Sequence, residues 1–474
     1  SSRKLLWKHS KKTHKMLHYI SWQGECAFVI ISTMNKLELP YVENVVDMFE
    51  HFAPQPHAML LHSCRAHQFK QRFSLFTAAP KVIMTVQGNL TTVSKNGNHA
   101  TSTLDPFDLF KQQFDELNAQ SPHIAMGYLS YDLAQRIHPL QHKTIADITL
   151  PTAVIGFYDW KITLDHHTKK CWLVCNHAET QAKIKNLLRA SPAPQTPFKI
   201  TKQFQTNMSY DTYAKAFHQI QQHIHAGDCY QANLCQRYTA TYQGSPWQAY
   251  KQLQAKNPAP FSAYINLEHG AILSCSPERF LRMHDGTVET KPIKGTAARY
   301  NNPLQDRHAA QQLINSTKDR AENLMIVDLL RNDLGKSCQA GTIKVPKLFQ
   351  LESFPNVHHL VSTITGQLKP NQHAIDVLRA CFPGGSITGA PKLSAMQIIE
   401  NLEPHHRSVY CGTIFYLDAN GTMDSNIAIR TVICNDHQAH CYAGGAIVAD
   451  STLADEHQEA KIKVSQLIAL LENL

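Results

Sequence analysis

The sequence predicts an α/β fold in which two packed, mixed β-sheets carry helices on their outer faces. The run from Cys229 to Tyr242 alternates apolar and polar residues, which is typical of a strand. Tyr213, Phe217 and Ile220 recur at helical spacing, which favours an amphipathic helix. With 474 residues, 43% of them apolar, the chain can bury a large core and form more than one domain.

Changes in composition divide the chain into four parts. Residues 1–15 hold six lysine and arginine residues and no acid, and we predict a disordered basic leader there, with a transit peptide as the alternative. Residues 16–190 form a first α/β domain. Residues 191–203 form a linker, because they contain three prolines and no apolar period. Residues 204–474 form the second, larger domain.

The second domain alternates helices and strands. Its first helix starts at Tyr210 and is ended by Gly227. Further helices are predicted over residues 319–333, 374–381, 392–402 and 453–471. Strands are predicted over residues 229–242, 261–267, 271–275, 409–417, 426–434 and 439–448.

Composition also excludes several classes of function. Six of the nine net positive charges lie in residues 1–15, and no basic stripe is interleaved with aromatic residues, so we expect no nucleic-acid binding. The apolar run from Cys26 to Ile31 is too short to cross a bilayer, so we expect no membrane association. Twelve scattered cysteines without a Cys-x-x-Cys pair, and no secretory signal, indicate a cytoplasmic protein with free thiols.

The segment from Glu289 to Thr296 is the first candidate for chemistry. Pro292 fixes φ and gives no amide donor, while Gly295 permits a positive φ or a close backbone approach. Lys294 between them is therefore presented at a defined place. A solvated lysine in a turn is the alternative for this short pattern taken alone.

Two predicted helices each carry a pair of carboxylates three residues apart. Asp319 and Glu322 share one face of the helix predicted over residues 319–333, and Glu456 and Glu459 share one face of the helix predicted over residues 453–471. One carboxylate from each helix can hold a hard dication that keeps several waters. The same spacing is common on solvated helix faces, so spacing alone leaves both interpretations open.

These segments resemble the chorismate-utilising enzymes, the family that contains anthranilate synthase component I and aminodeoxychorismate synthase component I. The matching runs are Gly227–Gln231, Ser276–Phe280, Pro292–Thr296, Lys318–Asp333, Val357–Leu360, Phe382–Lys392, Ile429–Thr431 and Gly444–Ser451. The resemblance implies an anthranilate synthase component I-like fold. Lys294 stands where aminodeoxychorismate synthases have lysine and anthranilate synthases have alanine. The resemblance therefore implies conversion of chorismate and ammonia to 4-amino-4-deoxychorismate, on the route to para-aminobenzoate and folate.

The resemblance also implies a set of site residues. The Mg²⁺ ligands would be Glu322 and Glu459, with Asp319 and Glu456 acting through water. Arg430 can bind one substrate carboxylate in a bidentate fork. Further substrate contacts are expected from Gly295, Thr296, Tyr410, and two glycine-rich turns, Gly384-Gly385-Ser386 and Gly444-Gly445, whose backbone amides can bind the second carboxylate.

Two further positions complete the set that the resemblance implies. Ala446 replaces a glycine that the family usually has, and its amide serves only if φ stays negative. His359 is included among the catalytic residues on the resemblance alone.

The expected reaction replaces the C4 hydroxyl of chorismate by an amine. Glu278 would protonate the departing hydroxyl. Lys294, desolvated and neutral, would add covalently at C2 and later be expelled by ammonia at C4. Gln231 stands where the isochorismate and salicylate synthases carry a lysine base, which argues against attack by water.

The ammonia must come from another chain, because no Gly-x-Cys-x-Gly nucleophile elbow is present. The resemblance implies a class I glutamine amidotransferase subunit as the partner. The alternatives are an anthranilate synthase component I, and a non-catalytic amino-acid-binding regulatory subunit. Lys294 argues against the first, and the intact set of charged site residues argues against the second.

A tryptophan pocket is the last expectation. Two segments of this chain resemble those that frame a tryptophan pocket in this family. The first contains Ser63, and the second contains Asn257, Pro258 and Phe261. A structural tryptophan and an empty pocket stay open as alternatives. His62 stands where anthranilate synthases often have glutamate, so we expect little feedback control by tryptophan.

Overall fold

The structure is a computed structural model that describes residues 35–64, 72–141, 143–354 and 357–474. The predicted leader, residues 1–15, lies outside these ranges, as does the start of the predicted first domain. Within the described ranges the chain forms two twelve-stranded sheets and ten α-helices. No helix in these ranges combines the length and apolar character that crossing a membrane would require.

The first sheet has the strand order β1-β10-β9-β3-β2-β13-β14-β23-β24-β12-β11, with β20 also paired to β12. Its strands are β1 Asn35–Leu39, β2 Met59–His62, β3 Phe73–Thr77, β9 Trp160–Asp165, β10 Lys170–Cys175, β11 Lys199–Thr206, β12 Gln231–Gln243, β13 Phe261–Leu267, β14 Gly270–Ser276, β20 Gly389–Ala390, β23 Thr431–Asn435 and β24 Gln438–Ile447.

The second sheet has the order β17-β19-β16-β15-β22-β21-β7-β8-β4-β5-β6, with β18 also paired to β19. Its strands are β4 Val82–Gln87, β5 Leu90–Lys95, β6 Asn98–Ser102, β7 Ile124–Leu129, β8 Ala153–Tyr158, β15 Arg279–His284, β16 Thr287–Lys291, β17 Ile293–Ala298, β18 Lys344–Ser353, β19 Val357–Gln367, β21 Thr413–Leu417 and β22 Met423–Asn426.

The helices are α1 Val45–Phe49, α2 Pro106–Gln120, α3 Ala178–Arg189, α4 Tyr210–Ala226, α5 Pro246–Lys256, α6 Pro303–Asn315, α7 Thr317–Ser337, α8 Ala374–Cys381, α9 Lys392–Leu402 and α10 Leu453–Glu472. The helix predicted from Tyr210 is confirmed. The Ser209 hydroxyl caps its first turn, and Gly227 ends it at a φ of 83°.

The two sheets pack on each other through one large apolar core. Residues of the first sheet such as Ile265 and of the second such as Phe415 are fully buried in it. A second core lies on the opposite face of the first sheet, where Phe49 of α1, Trp247 of α5 and Leu471 of α10 pack. The predicted arrangement of two packed sheets with outer helices is confirmed. The sheets are antiparallel rather than mixed, since every pairing between the described strands is antiparallel.

The predicted domain boundary does not coincide with a division between the sheets. Each sheet contains strands from both sides of residues 191–203. Residues 199–203 of the predicted linker form the beginning of β11, which pairs with β12. The division into domains stays a prediction.

The chain passes between the sheets at two adjacent crossings. Strand β14 of the first sheet leads through residues 277–278 to β15 of the second, and β22 of the second leads through residues 427–430 to β23 of the first. The backbone N–H of Ile427 donates to the carbonyl of Glu278 at 3.1 Å, and that of Cys275 donates to the carbonyl of Arg430 at 3.1 Å. The crossings therefore run side by side and are hydrogen-bonded to each other.

Candidate active site

Each crossing carries one of the predicted site residues. Glu278 lies in the first crossing, and its carboxyl group is buried. Arg430 lies in the second, at a φ of 50°. The Arg430 side chain is exposed to solvent, yet desolvation by the surrounding protein lowers its pKa. An exposed guanidinium can bind an anionic ligand through its fork of N–H donors.

Lys294 lies at a β-bulge in β17. Ile293 pairs with Val361 and Thr296 pairs with His359, so Lys294 and Gly295 together oppose one residue of β19. Gly295 has a φ of 87°, as its residue type predicts. A Cβ at Gly295 would lie 3.0 Å from side-chain atoms of Asp319, which leaves no room for a larger residue. A bulge re-aims a side chain, and here it turns Lys294 toward the carboxylates.

The Glu278 carboxyl group accepts hydrogen bonds from its neighbours and is only partly ionised near neutral pH. Desolvation raises its pKa to about 7. Hydrogen bonds from the Ser386 hydroxyl and the Ile293 backbone N–H, and the nearby charge of Lys294, oppose this rise. Glu278 can therefore exchange a proton at neutral pH.

Lys294 experiences the opposite shift. Desolvation lowers the pKa of its ammonium group, and Lys463 lowers it further, whereas Glu322, Glu278 and Glu459 raise it. The net direction is downward, which increases the fraction of neutral amine. Three carboxylates thus converge on one partly buried lysine.

The two carboxylate pairs predicted on separate helices do come together. The ammonium group of Lys318 lies 4.0 Å from Glu322 of α7 and 3.8 Å from Glu456 of α10, so it bridges the two helices. Desolvation raises the pKa of both carboxyl groups. Desolvation also opposes ionisation of Glu459, but Lys463 at 2.6 Å brings its pKa below the usual value.

We call Asp319, Glu322, Glu456 and Glu459 the acidic cluster. Its carboxylates are suitable ligands for a hard dication, although they do not form a complete metal site. Among the residues that the structure describes, no three histidine, cysteine or carboxylate side chains are arranged to hold a metal by themselves. Mg²⁺ is commonly bound by one or two carboxylates, with water and substrate as the other ligands. Glu322 and Glu459 could provide these two, because the charges of both raise the pKa of Lys294 and both therefore lie within electrostatic reach of it.

His359 lies beside the lysine-bearing strand. Its Nδ1 is 2.9 Å from the Thr296 hydroxyl, and its ring also contacts the Gly295 backbone. Desolvation, with a contribution from Arg430, lowers the pKa of His359 to about 4, so the ring is neutral. His359 is therefore placed to position Thr296 and the bulge rather than to carry charge.

The two predicted glycine-rich turns differ in structure. Gly385–Ile387 forms a 3₁₀ turn that places the Ser386 hydroxyl on Glu278. Gly444 and Gly445 do not form a turn, because they lie inside β24 and pair with β12. A Cβ at Gly444 would lie 2.2 Å from the Leu234 carbonyl, and one at Gly445 would lie 2.9 Å from Glu456. Close packing against the backbone of β12, rather than a turn, requires glycine at position 444.

Ala446 and Tyr410 complete the predicted substrate positions. Ala446 continues β24 opposite Asn233 and is not among the residues with positive φ, so alanine fits there without strain. The Tyr410 ring is buried and stacks on Tyr442 at 5.1 Å.

The segments of the predicted tryptophan pocket are adjacent, because His62 pairs with Ser262 across β2 and β13. The Ser63 hydroxyl donates to the Phe73 carbonyl at 2.7 Å, and the Phe261 carbonyl accepts from Asn426 at 3.0 Å. Both groups are thus used within the protein. Asn257 and Pro258 lie in the turn between α5 and β13, and residues 65–71 beside Ser63 are outside the described ranges.

Sequence reasoning missed the two lysines that pair with the acidic cluster. Lys463 follows Glu459 by four residues, a spacing that predicts a pair on one helix face. It also donates to the Gly444 carbonyl at 3.0 Å. Lys318 precedes Glu322 by four residues, a spacing that likewise predicts a pair, but no local pattern signals its contact with Glu456 of α10.

Comparison with known proteins shows the family and the fold of this chain. The family described as chorismate binding enzyme matches residues 56–469. The chain is 46% identical over 447 residues to aminodeoxychorismate synthase component 1 of Klebsiella aerogenes, covering 92% of this chain and 99% of that protein. The crystal structure of anthranilate synthase component I from Streptococcus pneumoniae superposes with a TM-score of 0.73 at 28% identity, covering 83% of this chain and 92% of that one.

A third comparison shows the fold alone. The menaquinone-specific isochorismate synthase of Escherichia coli superposes with a TM-score of 0.71 at 18% identity, covering 93% of this chain and 95% of that one. The match to the family description extends over most of the sequence, including both crossings, the bulge and the acidic cluster. The chain therefore belongs to the chorismate binding enzyme family.

Proposed function

We propose that this chain is the chorismate-aminating component of an aminodeoxychorismate synthase, which forms 4-amino-4-deoxychorismate on the route to para-aminobenzoate. The observation that carries this proposal is Lys294, which lies at a bulge with a lowered pKa and faces Glu278 and Glu322. The name of the Klebsiella aerogenes relative, at 46% identity, supports the same activity.

The side chains of this protein can perform the exchange at C4 in two steps. In the first, the neutral amine of Lys294 forms a bond to C2, both ring double bonds shift, and the C4 hydroxyl leaves as water with the proton of Glu278. In the second, ammonia forms a bond to C4, both double bonds shift back, and Lys294 leaves C2 as a neutral amine. The new ammonium group then returns one proton to Glu278, so ammonia replaces water overall.

We assign the binding of one substrate carboxylate to Arg430 and of the other to Mg²⁺ held by the acidic cluster. Arg430 would hold one carboxylate through its guanidinium fork. Glu322 and Glu459 would hold Mg²⁺, with Asp319 and Glu456 acting through water. When bound, the ion would contact the ring carboxylate and stabilise its charge.

We further propose a class I glutamine amidotransferase subunit as the source of ammonia. The designation of the relatives as component 1 supports the existence of a second component. Ammonium salts should replace this partner in vitro, since the reaction at Lys294 uses free ammonia.

Product analysis tests the proposal directly. The purified protein is incubated with chorismate, Mg²⁺ and ammonium, and the products are separated by chromatography with mass detection. The proposal requires 4-amino-4-deoxychorismate. Anthranilate as the main product, or no consumption of chorismate with or without a glutamine amidotransferase subunit, would overturn it.

A further inference from the structure

Lys392, a buried lysine outside the reaction centre, has every donor of its ammonium group satisfied. Its Nζ lies 2.6 Å from Asp333 Oδ2, 2.9 Å from the Cys381 carbonyl and 2.8 Å from the Pro383 carbonyl. An ammonium group offers three donors, so these three acceptors use all of them. Burying such a charge is costly unless it is paired in this way.

These contacts tie a loop of the site to a helix of the site. Asp333 lies on α7, the same helix that carries Glu322. Cys381 is the last residue of α8, and Pro383 lies at the start of the proline–glycine loop, which we define as residues 382–388. A Cβ at Gly385 in this loop would lie 2.7 Å from Leu329 of α7, so the loop and the helix are in close contact.

The far part of the same loop reaches Glu278. The Ser386 hydroxyl donates to the Glu278 carboxyl group, and the Ser386 carbonyl accepts from Asn233 at 3.1 Å. Arg407 donates to the Ile387 carbonyl at 2.9 Å. Lys392 holds the start of the loop and Arg407 holds its end, which leaves Ser386 fixed between them.

We propose that Lys392 is a positioning residue for the amination reaction, which fixes the Ser386 hydroxyl against Glu278 by anchoring the proline–glycine loop to Asp333. This inference rests on the proposed role of Glu278 as the proton donor. Lys392 itself contacts neither Glu278 nor Lys294 in the hydrogen bonds of the described residues. Its effect is transmitted through the loop backbone and Ser386.

The chain provides a matched control for this proposal. Lys336 binds the other oxygen of the same carboxylate, with its Nζ 2.9 Å from Asp333 Oδ1. Its side chain is half exposed, and its second hydrogen bond goes to the Ala380 carbonyl inside α8, at 3.4 Å. Among the hydrogen bonds of the described residues, none joins Lys336 to the Cys381 or Pro383 carbonyl. Lys336→Met and Lys392→Met therefore remove one partner each from Asp333, but only Lys392→Met releases the loop.

The test compares Lys392→Met, Lys336→Met, Ser386→Ala and the double variant Lys392→Met/Ser386→Ala with ammonium as the nitrogen source. We expect Lys392→Met to lower kcat by about 10²-fold, the size of effect that a displacement near 1 Å can cause. KM for chorismate should change much less. The double variant should be no slower than the slower single variant, because both changes remove the same contact. Lys336→Met should behave as wild type.

The pH profile gives a second readout. The Ser386 hydrogen bond lowers the pKa of Glu278, and Lys294 is the charged group that faces it. Losing the bond should therefore move the descending limb of the rate profile to higher pH in Lys392→Met. A lysine that only stabilises the fold would lower the melting temperature and leave this limb in place.

Three results would overturn the inference: a folded Lys392→Met protein with wild-type kcat, an unmoved pH limb, or losses that multiply in the double variant. If Lys392→Met does not fold, Lys392→Gln retains two N–H donors without the charge and should show the same changes at smaller size. If the wild-type protein itself forms no 4-amino-4-deoxychorismate, the proposed function fails instead. Amide hydrogen exchange of residues 384–388 then tests the anchor alone, and equal exchange in Lys392→Met and Lys336→Met would refute it.

Discussion

The ammonium group of Lys463 lies 2.6 Å from a carboxylate oxygen of Glu459, one of the two proposed metal ligands. Lys318 lies 4.0 Å from Glu322, the other ligand. Each proposed ligand is thus paired with a lysine on its own helix. A dication that binds here must replace part of these contacts, so both the carboxylates and the lysines influence its affinity.

The acidic cluster predicts a specific metal dependence. Glu322→Gln or Glu459→Gln should raise the Mg²⁺ concentration needed for half-maximal turnover by about tenfold or more, since each removes a charged ligand. Folding should change little, because glutamine is tolerated on a helix face. Titrating Mg²⁺ into the ammonium-dependent assay measures the effect.

Asp328→Asn is the control for the metal prediction. Asp328 lies on α7 with Glu322, but it is exposed and pairs with Arg331. This variant should keep the wild-type Mg²⁺ dependence. If both glutamine variants also match the wild type at low Mg²⁺, the metal binds elsewhere.

Lys294→Ala should lower the formation of 4-amino-4-deoxychorismate by ~10³-fold or more, as expected when a covalent nucleophile is removed. Slow amination at C2 is the expected residual activity, because alanine is the residue of anthranilate synthases. Lys291→Ala is the matched control, since Lys291 lies on the preceding strand and pairs with Glu352 at 2.6 Å. Undiminished amination at C4 by the Lys294→Ala protein would exclude the lysine from the mechanism.

The raised pKa of Glu278 predicts the pH dependence of turnover. Its protonated form is the proton donor, and this form predominates below about pH 7, so kcat/KM should fall as pH rises through about 7. Glu278→Gln should lower the rate by ~10²–10⁴-fold and remove this descending limb. A limb of the same midpoint in the Glu278→Gln protein would assign the titration to another group.

Tryptophan should inhibit this protein little. His62 is buried and neutral, because desolvation and His166 lower its pKa to about 3, so it offers no negative charge to a bound ammonium group. Ammonium-dependent turnover measured with and without added tryptophan tests this, and strong inhibition would contradict it. Release of tryptophan when the purified protein is denatured would show that the pocket holds a structural tryptophan. If no tryptophan is released and added tryptophan does not shift the melting temperature, a bound tryptophan is excluded.

The helices were predictable because their signals are local. The bounds of α8 and α9 match the predicted ranges, since a capping residue or proline marks each start and a periodic apolar face defines each length. The bulge at Lys294 was partly predictable, because Pro292 restricts the backbone before it and Gly295 permits the positive φ after it.

The crossings between the sheets were not predictable from periodicity. Residues 426–434 were expected to form one strand, but the chain leaves β22 of the second sheet at Asn426 and enters β23 of the first sheet at Thr431. An alternating pattern reports which side of a strand is buried, and it does not report which sheet the strand joins. The contact between Lys318 and Glu456 of α10 carried no sequence signal either, because the two residues are far apart in the chain.

The two side-by-side crossings also determine where the length of the chain can change. An insertion of one residue in 277–278 or 427–430 would reverse which face each following side chain occupies, and it would break the hydrogen bond between Ile427 and Glu278. The hairpin between β5 and β6 is not constrained in this way, because its tip at residues 96–97 is exposed and can take extra residues without changing the pairing of the strands. Libraries of insertions and deletions should therefore yield active protein at the hairpin and inactive protein at the crossings.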